Sequence, residues 1–164
     1  MSIRSDLLRV SEEHWGNSEV FFRRIETEED LIYAGYDCRL REEQADLANP
    51  FWFSIGRAYL APEDHVPCVI CTTAGERIGF IDLYQWRGEP YSYAWGYFID
   101  ARQQGKGYGK AAARLAVRLL KAAAPTMPIC LAVAPENHKA QTLYRSLGFR
   151  QRPVLDGDDL VFCL

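Results

Sequence analysis

Apolar positions along the chain keep two different spacings, and the change from one to the other marks out the elements. In "KAAARLAVRLLKAAA" (110–124), Ala112, Leu115, Ala116, Leu119, Leu120 and Ala123 recur at three- and four-residue intervals. This is the pattern of a helix with one buried face, and Pro125 ends it. In "TEEDLIYAGYDCRLREEQADLA", Thr27 is placed as N-cap before three acids, and Leu31, Ala34, Cys38 and Leu40 follow at helical spacing, so a helix is predicted from Thr27 to about Ala48. Asn49-Pro50 breaks it, and Pro50 suits the first turn of another helix reaching Leu60. "NHKAQTLYRSLGF" reads as a helix with Asn137 as N-cap and Gly148 as its stop.

The remaining segments are β-rich. "VFFRRI" (20–25) reads as a strand; "PCVICTT" and "RIGFIDLYQW" form a hairpin through "AGE"; "YSYAWGYFID" (91–100) is a strand rich in aromatics. "PICLAVAP" (128–135) reads as a buried strand, and two strands close the chain around Asp156-Gly157. The order predicts one mixed α/β (α+β) domain over 20–164. An N-terminal extension, 1–19, precedes it, with a short helix near Ser11–Trp15.

Composition narrows the class without changing this picture. The chain has 164 residues, 48% hydrophobic and 25% charged, as expected of one globular domain. No apolar run nears the roughly 18 residues of a spanning helix, and the N-terminus shows no signal-peptide core, so a cytoplasmic protein is expected. A net charge of −3 argues against nucleic acid as a partner. The five cysteines are odd in number and scattered, which predicts buried free thiols and no disulfide framework. Cys68 and Cys71 are three apart on a strand and point to opposite faces, so they cannot share a metal. His14, His65 and His138 show no metal spacing, and no metal is expected.

The chemistry concentrates in "ARQQGKGYGK" (101–110), between a strand and a helix. A helix start offers unpaired N–H groups and the positive end of the helix dipole, and so binds anions, phosphate above all. Gly105, Gly107 and Gly109 let the backbone turn its amides toward such a guest, and Lys106 and Lys110 add charge at the rim. The spacing is neither a Walker A loop, since Ala111 follows Lys110, nor a dinucleotide fingerprint. A ligand-free tight turn is the alternative.

A second motif favours a ligand. Gln104, Gly107 and Gly109 form Q-x-x-G-x-G, and Asn137, Ala140, Leu143, Tyr144, Leu147, Gly148 and Phe149 form N-x-x-A-x-x-L-Y-x-x-L-G-F. The pair resembles the GNAT superfamily of N-acetyltransferases from about Val20 to the C-terminus. The segments "GFIDLYQW", "YFIDARQQGKGYGKAAARL", "ENHKAQTLYRSLGF" and "LDGDDLVF" look most like its spermidine/spermine branch. The resemblance implies a central, mostly antiparallel twisted sheet with a splayed strand pair and helices on both faces. It implies acetyl-CoA as cosubstrate, its pyrophosphate held by the amides from Gly105 through Gly107, Tyr108 and Gly109 to Lys110, with Gln104 and Lys106 beside them. The backbone of Tyr97, Phe98 and Ile99 would bind the pantetheine arm, and Asn137 would contact it from across the cleft.

Acetyl transfer to an amine needs a neutral amine, a held oxyanion and a stabilised thiolate. A primary amine is roughly 99.9% protonated at neutral pH, and removing the proton costs about 4 kcal/mol, so a base is useful. The resemblance implies that Tyr144 assists the departing thiolate; a core aromatic packed with Leu143 and Leu147 is the alternative. It also implies an acid where Trp95 stands, and an indole cannot be a base. If the hairpin turns near Gly88, Asp82 falls roughly opposite Trp95 and takes that part, unless it is an edge or backbone-bonded carboxylate. Glu42, Glu43 and Asp46 form an acidic patch, either a solvated face or, with Trp95, part of the acceptor site. The expected acceptor is a polyamine. An aminoglycoside, another drug amine or a protein amine, and a non-catalytic CoA-binding module, are the alternatives. The sequence is compatible with a homodimer.

Overall fold

The computed structural model describes residues 1–164. Ser2 caps α1 (Ile3–Leu7) through a reciprocal side-chain pair with Ser5. Residues 12–15 form a 3-10 turn. They are followed by β1 (Val20–Arg24), α2 (Glu28–Ile32) and α3 (Phe51–Leu60). The strands β2 (His65–Thr72), β3 (Arg77–Trp86) and β4 (Ser92–Ile99) come next. The chain ends with α4 (Tyr108–Ala123), β5 (Cys130–Val133), α5 (His138–Ser146), β6 (Arg150–Asp156) and β7 (Asp159–Cys163). No helix is long and apolar enough to cross a membrane.

Strands β1-β2-β3-β4 form one antiparallel sheet and β5-β7-β6 another. A single parallel bridge, Tyr93 to Ile129, joins them, with the Tyr93 N–H donating to the Pro128 carbonyl at 2.9 Å. Past Tyr93 the strands β4 and β5 part, which is the splay expected of the fold. The period-two alternation of the strands sorts their side chains. Cys68, Ile70, Ile81, Leu83, Tyr93, Trp95 and Ile99 join the α4 residues in the main core. Val69, Cys71 and Phe80 meet Phe51 of α3 in a smaller core on the other face. Cys68 and Cys71 thus lie on opposite faces, as their spacing requires.

Three expectations need correction. Residues 1–19 are not set apart from the domain: Ile3 and Leu7 are fully buried in the main core, and the buried Asp6 carboxylate accepts a hydrogen bond from the Tyr93 hydroxyl. The long helix from Thr27 ends early. α2 passes into a π-turn at Tyr33–Asp37, the chain is extended from Cys38, and only a 3-10 turn forms at Glu42–Leu47. The reason is a close approach at Gly35, where a Cβ would stand 2.7 Å from the Trp52 ring of α3. Packing against α3 therefore sets the backbone path, overriding local periodicity. Finally, Cys130 and Cys163 sit directly opposite in the β5–β7 ladder and are joined as a disulfide, leaving Cys38, Cys68 and Cys71 free and buried.

The α2 start is fixed electrostatically. Asp30, almost fully buried, receives Arg23 at 2.9 and 2.8 Å and Arg77 at 2.6 Å, tying α2 to β1 and β3. Burial alone would raise its pKa, but the two guanidiniums outweigh that and hold the carboxyl below its ordinary value.

Candidate active site

The glycine loop enters α4 through two residues that demand glycine. Gly105 and Gly107 have φ of +79° and +85°, in the left-handed region, while a Cβ at either would meet nothing within 4 Å. Glycine is there for backbone direction and not for want of room. Gly107 is the N-cap, and the first helical bond runs from the Ala111 N–H to its carbonyl at 3.1 Å. The amides of Tyr108, Gly109 and Lys110 are therefore the orphan donors of a 16-residue helix. Lys106 and Lys110 are exposed at the rim, with Lys106 Nζ on Gln103 Oε1 at 2.8 Å. The residues present fit a phosphate group. An open anion nest lies beside the splayed edge of β4.

Side chains brace this loop from below. The Tyr97 hydroxyl donates to the Gly109 carbonyl at 3.1 Å. Gln104 Nε2 donates to the Ile99 carbonyl at 2.9 Å and to Gln44 Oε1 at 2.7 Å, and its own Oε1 is buried without a partner. The Gln44 contact holds the 3-10 turn of Glu42, Glu43 and Asp46 against the loop, with all three carboxylates exposed. Phe98 packs on Phe80 across the hairpin, with ring centroids 5.5 Å apart. Asn137 caps α5, its Oδ1 accepting from the Ala140 N–H at 3.2 Å.

Tyr144 projects from α5 toward β4. Its ring meets Trp95 edge-on at 6.0 Å and lies 5.7 Å from Phe149, and burial holds its hydroxyl well above the ordinary pKa. A phenol kept neutral in this way retains its O–H as a hydrogen-bond donor. Trp95 is itself buried, with Nε1 lacking a partner.

Asp82 is not opposite Trp95. The hairpin pairs Asp82 with Gly96 and Leu83 with Trp95, because the turn pivots on Glu89 and not on Gly88. A register one residue away from the one expected reverses the face. Trp95 therefore turns to Tyr144, and Asp82 faces the α3 side. There Asp82 is 2% exposed; His65 Nδ1 meets its Oδ2 at 2.7 Å, and its Oδ1 has no partner. Burial raises its pKa, and His65 and Arg57 pull against that rise.

Two contributors escaped the sequence reading. Arg57 of α3 lies over the Tyr84 ring at 5.1 Å. Burial, aided by Asp82, Asp156 and Asp159 and opposed by Arg57, pushes the Tyr84 hydroxyl up to about 12. The β6–β7 hairpin brings Asp156, Asp158 and Asp159 together. Partial burial, then Asp156, Glu136 and Asp158, raise the pKa of Asp159, a sign of crowded negative charge. The signal was present as "DGDD", which reads equally well as a turn.

A family model described as the acetyltransferase (GNAT) family matches residues 22–149. The chain belongs to the GNAT family. It is an acetyl-CoA-dependent N-acetyltransferase. Solved GNAT-type structures superpose over most of its length. An acetyltransferase from Agrobacterium tumefaciens is 18% identical, with TM-score 0.70, covering 91% of this chain and 92% of its own. Aminoglycoside acetyltransferase AAC(6')-Ib with coenzyme A is 24% identical, TM-score 0.68, covering 88% and 92%. Spermidine N-acetyltransferase from Vibrio cholerae, with CoA and spermine, is 20% identical, TM-score 0.66, covering 90% and 94%. At these identities the GNAT members share the fold. No curated protein matches by sequence.

Proposed function

We propose that the enzyme acetylates a primary amine of a polycationic small molecule, best a polyamine such as spermidine or spermine. Acetyl-CoA supplies the acyl thioester. The amides at 105–110 would hold its pyrophosphate, with the β4 edge at Tyr97–Ile99 and Asn137 along its arm. Tyr144, kept neutral by burial, would give its proton to the departing sulfur. Asp82 would take the proton that makes the ammonium a nucleophile, through a water reaching Oδ1.

The observation that carries the acceptor class is the surplus of carboxylates. Asp156, Asp158 and Asp159 crowd the β6–β7 hairpin, and Glu42, Glu43 and Asp46 are exposed on the turn held to the cofactor loop. Arg57 offsets only part of this. Such a field raises the local concentration of a polycation, and salt weakens the effect. A second reading, an aminoglycoside, is favoured by the exposed Trp52, Phe53 and Tyr59 of α3, which offer ring surfaces for stacking. Comparing kcat/KM for spermidine and for aminoglycosides at low and high salt tests the proposal. We expect spermidine to be preferred and its kcat/KM to fall about tenfold from low to physiological salt. Turnover confined to a neutral or anionic amine would overturn it.

A further inference from the structure

His65 was set aside at the level of sequence because it shares no metal spacing with the other histidines. The fold gives it a different place. Register sets His65 opposite Tyr84 and Pro67 opposite Asp82, so His65 and Asp82 are diagonal neighbours on one sheet face. Both are almost fully buried, with side chains 4% and 3% exposed, and Nδ1 lies 2.7 Å from Oδ2. The imidazole is stacked on Tyr84 at 5.6 Å, 20° from parallel, which fixes its plane. Asp82 Oδ1, by contrast, is buried with nothing to accept from. A carboxylate with one satisfied and one orphaned oxygen is expensive unless the free oxygen has work to do.

We propose that His65 is the positioning residue of a buried His65–Asp82 dyad, in which Nδ1–H holds Oδ2 so that Oδ1 remains ionised and free to receive the acceptor's proton. The proposal rests on Asp82 being the proton acceptor. In the step itself the ammonium loses one proton, the nitrogen keeps the electron pair, and Oδ1 becomes O–H. After turnover that proton returns to solvent. The groups facing the dyad are few. Arg57 approaches from α3, Tyr84 lies beside it on β3, and the Cys68 thiol of β2 points to the opposite face. β4 contributes only Ala94 and Gly96, opposite Tyr84 and Asp82, so no β4 side chain replaces His65 as a donor. Desolvation drives Asp82 toward its neutral form, and a neutral acid cannot accept. His65 is the largest influence opposing this, ahead of Arg57 and the Val66 backbone.

The test is the pH dependence of kcat/KM, whose acid limb reports the free-enzyme base. Removing the donor raises the pKa of Asp82, so in His65→Leu the acid limb moves to higher pH, by about one to two pH units. His65→Asn, whose amide offers a donor near the Nδ1 position, returns most of that shift. CoA affinity stays within about threefold in both, as no cofactor group is touched. A purely structural His65 would lower stability or scale the whole profile without moving the limb, and that result overturns the proposal. Asp82→Asn separates the two readings. If it keeps the parent's acid limb, Asp82 is not the base. If it abolishes the limb while His65→Leu leaves it in place, Asp82 stands and the role of His65 falls. Should His65→Leu not fold, nitrogen-15 spectra of the parent imidazole decide. A proton on Nδ1 at neutral pH, perturbed in Asp82→Asn, supports the dyad, and an unprotonated Nδ1 overturns it.

Discussion

Replacing Gly107 with glutamate separates folding from cofactor binding. Gly107 is the αL N-cap of α4, with φ +85° and ψ 0°. An L-residue there costs about 1 to 2 kcal/mol of backbone strain. No steric term adds to it, because a Cβ at this position meets no atom within 4 Å. A carboxylate at a helix N-terminus returns about 0.3 to 1 kcal/mol. The net loss of stability is therefore about 1 kcal/mol, a few degrees in Tm. The effect on binding is larger. One negative charge about 5 Å from a pyrophosphate charge, at an effective dielectric of about 20, is repelled by about 3 kcal/mol, or more than 100-fold in Kd. Calorimetry with CoA and a thermal melt measure both. A Gly107→Glu protein that folds and binds CoA as the parent does would refute the placement of the phosphates in this loop.

Other outcomes follow from the same geometry. Tyr144→Phe keeps the packing against Trp95 and Phe149, so CoA affinity should stay within a few-fold while kcat falls about 10- to 1,000-fold; equal kcat would return the residue to a packing role. Asp30→Asn should lower stability by about 2 kcal/mol, less than a fully buried pair would lose because Arg23 and Arg77 are 40% and 35% exposed to screening water. Because the folded pKa of Asp30 is depressed, its contribution is complete above the ordinary carboxylate pKa and is lost as pH falls through the folded value, so the acid slope of stability should flatten in the mutant. Denaturant melts at several pH values check this. Thiol titration of the denatured, unreduced protein should count the three free cysteines, and five after reduction; reduction should cost up to about 4 kcal/mol for a 33-residue separation.

Where sequence reading succeeded, the information was local. The α4 stripe, the Asn137 cap and the Gly105–Gly107 turn each depend on residues a few positions apart, and all three form as expected. Where it failed, the deciding contact was distant. The periodicity after Thr27 could not reveal that Gly35 would meet Trp52. Cys130 and Cys163 lie on strands whose pairing no spacing announces. The partner of Asp82 turned on a register that differs by one residue across the five-residue turn between Trp86 and Ser92, and the place of His65 beside Asp82 depended on the separate pairing of β2 with β3. The acid density of the β6–β7 hairpin was visible, but its proximity to Tyr84 and Arg57 required the fold.

The central claim is catalytic transfer to a polycationic amine, and amine-dependent release of thiol from acetyl-CoA tests it most directly, with the product identified by mass spectrometry. The account predicts thiol release that saturates with spermidine, yields one acetyl on a primary nitrogen and weakens with salt. Binding of CoA without amine-dependent thiol release, across polyamines, aminoglycosides and peptides, would contradict it.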